Sequence, residues 1–141
     1  MKTIILFLSL LVAGSTICFA QCDKKTVITT SKTDHLNANG ALVRTVDEKA
    51  VVHINKSALT IIVNDEHTMK GTITSNVCDW KTPYKEGKTI IKAKLNDEQG
   101  EDRNITLTIT GQDGKVMISF EMEGMPDDRL RVTVAKFEEE G

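Results

Sequence analysis

Cys18, Cys22 and Cys78 are the three thiols of the chain, and each has a different chemistry open to it. In an oxidising compartment Cys22 and Cys78 would form one bond, closing a loop of about 56 residues and contributing ~4 kcal/mol through lost chain entropy. The alternatives for Cys22 are a free thiol, an intermolecular bond or a lipid anchor. Lipidation favours a small residue immediately before the cysteine. Gln21 is long and polar, and Ile17 before Cys18 is branched, so the disulfide Cys22–Cys78 is the expected state. Neither of these two cysteines has a histidine close in sequence that could activate it as a nucleophile.

The other groups able to do chemistry are scattered. His35, His53 and His67 have neither helix i,i+4 spacing nor the alternate-strand spacing that would bring two imidazoles onto one metal, so no metal site is expected. The stretch Asn96–Asn104 sets Asp97, Glu98, Glu101 and Asp102 around Gly100, which suits calcium. It lacks the D-x-D-x-D-G order and the distal glutamate of an EF-hand, and predicts a charged hairpin loop. Glu121 and Glu123 lie two residues apart on one strand face, ~7 Å, but arginines expected across the strand would hold both ionised. No G-x-S-x-G, H-E-x-x-H, P-loop or C-x-x-C occurs, so an enzyme is not expected and no cofactor is implied. Trp80 and Tyr84, the single Trp and Tyr, fall with Pro83 beside Cys78. A disulfide-tethered loop presenting Trp80, Pro83 and Tyr84 is a candidate recognition site; equally, Trp80 could plug one end of the fold.

These groups must be carried by whatever follows the leader. Met1-Lys2 is followed by an apolar run from Ile4 to Ala13, broken only by Ser9, and then by small and polar residues up to Ala20. An apolar core of about ten residues is too short to span a bilayer and reads as a secretory signal peptide, residues 1–20, cleaved after Ala20. Residues 21–141 are then a single exported domain, with no membrane span once the signal is gone. Lys2 is the one charge in the leader, so the 18 basic residues fall to 17 against 20 acidic ones, a net charge of −3. The charges are interspersed, without the basic stripe that nucleic acid would need.

Strict alternation of apolar and polar residues dominates the chain, and no helical stripe emerges. In Asn104–Gly124 the Asp113-Gly114 pair is a two-residue hairpin signal. Folding there sets Ile109, Leu107 and Ile105 against Ile118, Phe120 and Met122, with Thr108–Ser119 and Thr106–Glu121 on the other face. A turn through Met125–Asp128 sets Met122, Phe120 and Ile118 against Leu130, Val132 and Val134. It also puts Glu121 beside Arg131 and Glu123 beside Arg129. Upstream, Ile91, Ala93 and Leu95 align with Ile109, Leu107 and Ile105. In the first half, Ala50, Val52 and Ile54 face Val63, Ile61 and Leu59, which face Met69, Gly71 and Ile73. Strands are also expected at Thr26–Thr30 and Leu42–Val46, and Asn76–Gly87 as an irregular connection. The expectation is an all-β antiparallel meander of about eight or nine strands, curled into a small up-and-down, lipocalin-like barrel or folded into a two-sheet sandwich.

The leader, its Phe19-Ala20-Gln21 junction and the hairpin-rich meander resemble small uncharacterised exported β-rich proteins of Gram-negative bacteria. The resemblance implies an envelope location, periplasmic or extracellular, and no activity. The function expected first is a protein-interaction or accessory module with an envelope partner, using the Asn76–Gly87 stretch or an open strand edge; the alternative is a lipocalin-like binder of a small apolar ligand. Solid packing of the interior favours the first; a cavity above about 300 Å³ favours the second.

Overall fold

The computed structural model describes residues 22, 24–96 and 100–140. Eight antiparallel strands follow one another: β1 (Thr26–Leu36), β2 (Leu42–Ile54), β3 (Ala58–Val63), β4 (His67–Thr82), β5 (Glu86–Asn96), β6 (Asp102–Gln112), β7 (Lys115–Met122) and β8 (Arg129–Glu139). Each pairs with its chain neighbours, and β8 returns to β1, giving a closed barrel. Closure gives each strand a neighbour on both sides, which the outer strands of a sandwich lack, although parts of the long strands β2 and β4 extend past β3. The interior is built from the alternate residues of each strand, with Ile28, Leu59, Ile91, Leu107 and Ile109 almost wholly buried.

The turns are made by the residue types that such turns need. Asp113 and Gly114 both take positive φ, 52° and 77°, as a type I′ hairpin demands. Asn37, Asn55 and Asn64 each turn the chain with a side-chain oxygen: Asn55 Oδ1 accepts from the Ser57 and Ala58 amides at 2.9 and 2.7 Å. Asn37 Oδ1 does the same for Asn39 and Ala41, and Asn64 Oδ1 accepts from Lys49 N.

Two hairpins have the expected register. Ile109 faces Ile118, Leu107 faces Phe120 and Ile105 faces Met122, and Ala50, Val52 and Ile54 face Val63, Ile61 and Leu59. Three others keep the expected faces but are displaced by two residues. Ile61 faces Met69 and Leu59 faces Gly71; Ile91 faces Leu107 and Ala93 faces Ile105; Ile118 faces Val132 and Phe120 faces Leu130. A two-residue slip moves no side chain across the sheet, so alternation cannot exclude it. Its consequence is electrostatic: Arg131 sits opposite Ser119 rather than Glu121, while Glu121 meets Arg129 at 3.8 Å.

The stretch Asn76–Gly87 is not an irregular connection. Strand β4 runs through it to Thr82, and a tight turn at Pro83–Lys85 leads into β5. A bulge between Ile73 and Ser75 reverses the alternation, so Ile73 faces inward before it while Cys78 and Trp80 share the inner face after it. A similar irregularity between Thr30 and Lys32 extends β1 to Leu36, and β2 starts at Leu42 and continues unbroken to Ile54. Strand β3, only six residues long, covers Ala50–Ile54 of β2 and His67–Thr72 of β4, leaving the rest of those two long strands without it.

Candidate functional site

The two ends of the barrel are built differently. One end is filled by aromatics. Trp80 on β4 lies opposite Gly87 on β5, which in turn lies opposite Gly111 on β6. A Cβ on Gly87 would come within 2.7 Å of the indole Cδ2, and one on Gly111 within 2.7 Å of Cζ3. The two glycines thus make the floor on which the ring lies. Trp80 Nε1 donates to Thr89 Oγ1 at 2.7 Å, satisfying the one polar atom that the ring buries. Phe137 of β8 meets Trp80 and Tyr84 edge-on, at 5.6 and 4.9 Å between centroids. Of the three residues singled out for recognition, Trp80 is buried and Pro83 and Tyr84 are half-buried in the turn beyond it. Burial, and after it the Glu139 carboxylate, push the Tyr84 phenol above its ordinary value.

The Cys22–Cys78 disulfide lies at this same end, with Cα atoms 5.9 Å apart. It ties the residues before β1 to the part of β4 that β3 does not reach. The crevice left there is about 20 Å³, lined in part by Cys22, Asn55, Asn76 and Cys78, too small for any guest beyond a water molecule.

At the opposite end the interior is not filled. A recess of about 230 Å³ opens between β1–β4 and β6–β8. Its walls include Val52, Ile61, Val63, Leu107, Phe120 and Leu130, all apolar. Polar atoms come from one side only: Thr30 and Thr33 on β1, and Glu48 on β2. The Thr30 hydroxyl donates to the Ala50 carbonyl at 3.4 Å. Two larger troughs, of about 500 and 300 Å³, lie elsewhere and are lined mainly by polar and charged residues such as Lys92, Asn104, Glu121 and Glu123, or Asp79, Lys81 and Glu86. They lack the apolar walls that remove a ligand from water.

The remaining chemistry-bearing residues are dispersed. His53 Nδ1 lies 3.2 Å from Glu140, at the filled end, whereas His35 is paired across the ladder with Arg44 and Leu130 near the open one. Among the described residues no three His, Cys, Asp or Glu side chains converge as a metal site would require. Of the acidic loop, Asp97 and Glu98 lie outside the described residues; Glu101 pairs with Arg103, and Asp102 with Lys94 and Asn96. Asp34 accepts from Thr45 Oγ1 at 2.7 Å and from Arg131 at 3.2 Å, and these two bonds hold its carboxyl below the usual range. The expected Glu121–Arg131 and Glu123–Arg129 pairs are thus replaced by Glu121–Arg129 and Asp34–Arg131. Arg131 finds its partner only because β8 closes onto β1. The recess was not visible as a set of residues in the sequence; only the inward parity of its lining could have suggested it.

No family model, curated protein or solved structure matches the chain in comparisons with known proteins.

Proposed function

We propose that this protein is an exported, non-enzymatic binding module that holds a small apolar ligand in the open end of its barrel. The observation that carries this reading is the 230 Å³ apolar recess facing a plugged end. At about 230 Å³ the recess falls short of the ~300 Å³ expected of a drug-sized site, so the reading rests on its open, apolar lining rather than on its size, and the guest must be correspondingly small. An apolar cavity of about 150 Å³ already accepts benzene, so a substituted ring or short alkyl chain is the fitting size. Export is supported by the leader pattern of residues 1–20 and by the Cys22–Cys78 bond, a linkage that persists in oxidising compartments. The barrel is apolar inside, and its outer face carries ion pairs such as Arg131–Asp34, unlike a barrel that turns an apolar band to lipid.

Native mass spectrometry with toluene or hexan-1-ol is the test. The protein is expected to retain one molecule of guest, and Ala50→Phe, which fills the recess from β2, is expected to lose it while keeping the β spectrum. An Ala50→Phe variant that folds and binds as well as the parent would sink the reading.

A second reading, a protein-interaction module of the envelope, draws on β2. Residues Leu42–Glu48 have β1 on one side and no strand of β3 on the other, and Leu42 and Val43 are exposed there. An extended strand of a partner could add to such an edge. Failure of the parent protein to take up either guest would turn the balance to this reading.

A further inference from the structure

The lining of the recess is lopsided in charge, and this bears on what the guest is. Resting on the ligand-binding reading, we infer that the guest is a small cationic amphiphile. Its apolar body occupies the recess, and its protonated amine is received by Glu48.

Glu48 shares the inward face of β2 with Ala50, Val52 and Ile54, so its carboxylate belongs to the barrel interior and not to the outer, charged face. It is half-buried, and it is the one ionisable side chain in the lining. Among the described residues no hydrogen bond or ion pair engages it. The basic residue next to it in sequence is committed elsewhere: Lys49 points outward to Asp65 at 3.8 Å. Asp34 and Arg131 bond each other on the outer face. A carboxylate placed against an apolar wall loses part of its hydration, and only an opposite charge or several donors restores what is lost.

The hydroxyls beside it suit the same guest. Thr30 is paired with Ala50 across the β1–β2 ladder and Thr33 with Val46, so Glu48 falls between these two pairs, on the wall that carries both hydroxyls. Thr30 spends its proton on the Ala50 carbonyl and therefore presents lone pairs. An ammonium has three donors and no acceptor, matching a carboxylate flanked by hydroxyl oxygens. A carboxylate-headed guest such as a short fatty acid would set two anions together and would be excluded by the same residue.

The test is calorimetric titration of the mature protein with hexylamine, hexan-1-ol and hexanoate, three heads on one body. Hexylamine is expected to bind about ten- to a hundredfold more tightly than hexan-1-ol, the range for a charge-assisted bond, and hexanoate more weakly than either. Glu48→Gln is expected to abolish the preference for the amine over the alcohol. Equal binding of the amine and the alcohol, or an amine preference that survives Glu48→Gln, would overturn the inference and leave the apolar recess standing. If none of the three binds, the recess reading falls with it. Should Glu48→Gln fail to fold, the ranking of the three heads on the parent protein decides the matter alone.

Discussion

Among single residues, the pair Asp34–Arg131 shows how closure supplies what a hairpin cannot. Arg131 was expected beside Glu121, its neighbour within the β7–β8 hairpin, yet its guanidinium bonds the carboxylate of Asp34 on β1. Thr45, across the β1–β2 ladder, donates the shorter bond. Both donors favour the ionised form, so the folded-state pKa of Asp34 lies below that of the unfolded chain. The stabilisation linked to it is therefore present above the unfolded value, about 4, and is lost as pH falls through the lowered folded value. The carboxyl carbon of Asp34, followed by NMR, is expected to titrate below the ordinary aspartate range, and Thr45→Ala to raise its midpoint. A midpoint at the ordinary value in the parent would contradict the assigned bonds. Because the group is exposed to solvent, added salt should weaken the contribution of Arg131.

Among elements, the hairpins divide by how much their turns say. The Asp113-Gly114 turn admits one loop geometry, and the β6–β7 register follows from it. The longer connections 64–66, 97–101 and 123–128 admit several, and there the expected register was displaced by two residues. Alternation specifies which face a residue occupies, but not its partner along that face. The bulge at Thr74 shows the complementary failure: it reverses the faces of β4, so a strand with a broken pattern looked like a loop. The shortness of β3 gives the disulfide its purpose, since Cys22 ties down the part of β4 beyond the reach of that strand. Cys78→Ser is expected to lower stability by about 2–4 kcal/mol, measured as a shift of the urea midpoint. An unchanged midpoint would mean that the clasp contributes nothing to the folded state.

At the scale of the whole molecule, the barrel is asymmetric along its axis. Trp80, Tyr84 and Phe137 close one end over two glycines, and the aliphatic lining of the other leaves space. Small residues such as Ala50 and the threonines of β1 account for part of that space. If the chain is exported by its own leader, the intact mass of the secreted product should start at Gln21 and lack two hydrogens for the Cys22–Cys78 bond. A lipid-sized increment on Cys22 would instead make it an anchored lipoprotein and leave Cys78 without its partner.

The all-β class, the inward sets of residues and the β6–β7 hairpin were legible in the sequence, because period-2 alternation and turn chemistry are local properties. The pairing of Cys22 with Cys78 was legible by elimination once residues 1–20 were read as a leader, since two cysteines then remain. What the tertiary structure decided was non-local. Closure of β8 on β1 turned the meander into a barrel and gave Arg131 its partner. Placement of Gly87 and Gly111 under Trp80 turned a candidate loop aromatic into core. The recess followed for the same reason: side-chain volumes from seven strands meet at one level of the interior, and whether they fill it depends on registers that no single segment specifies.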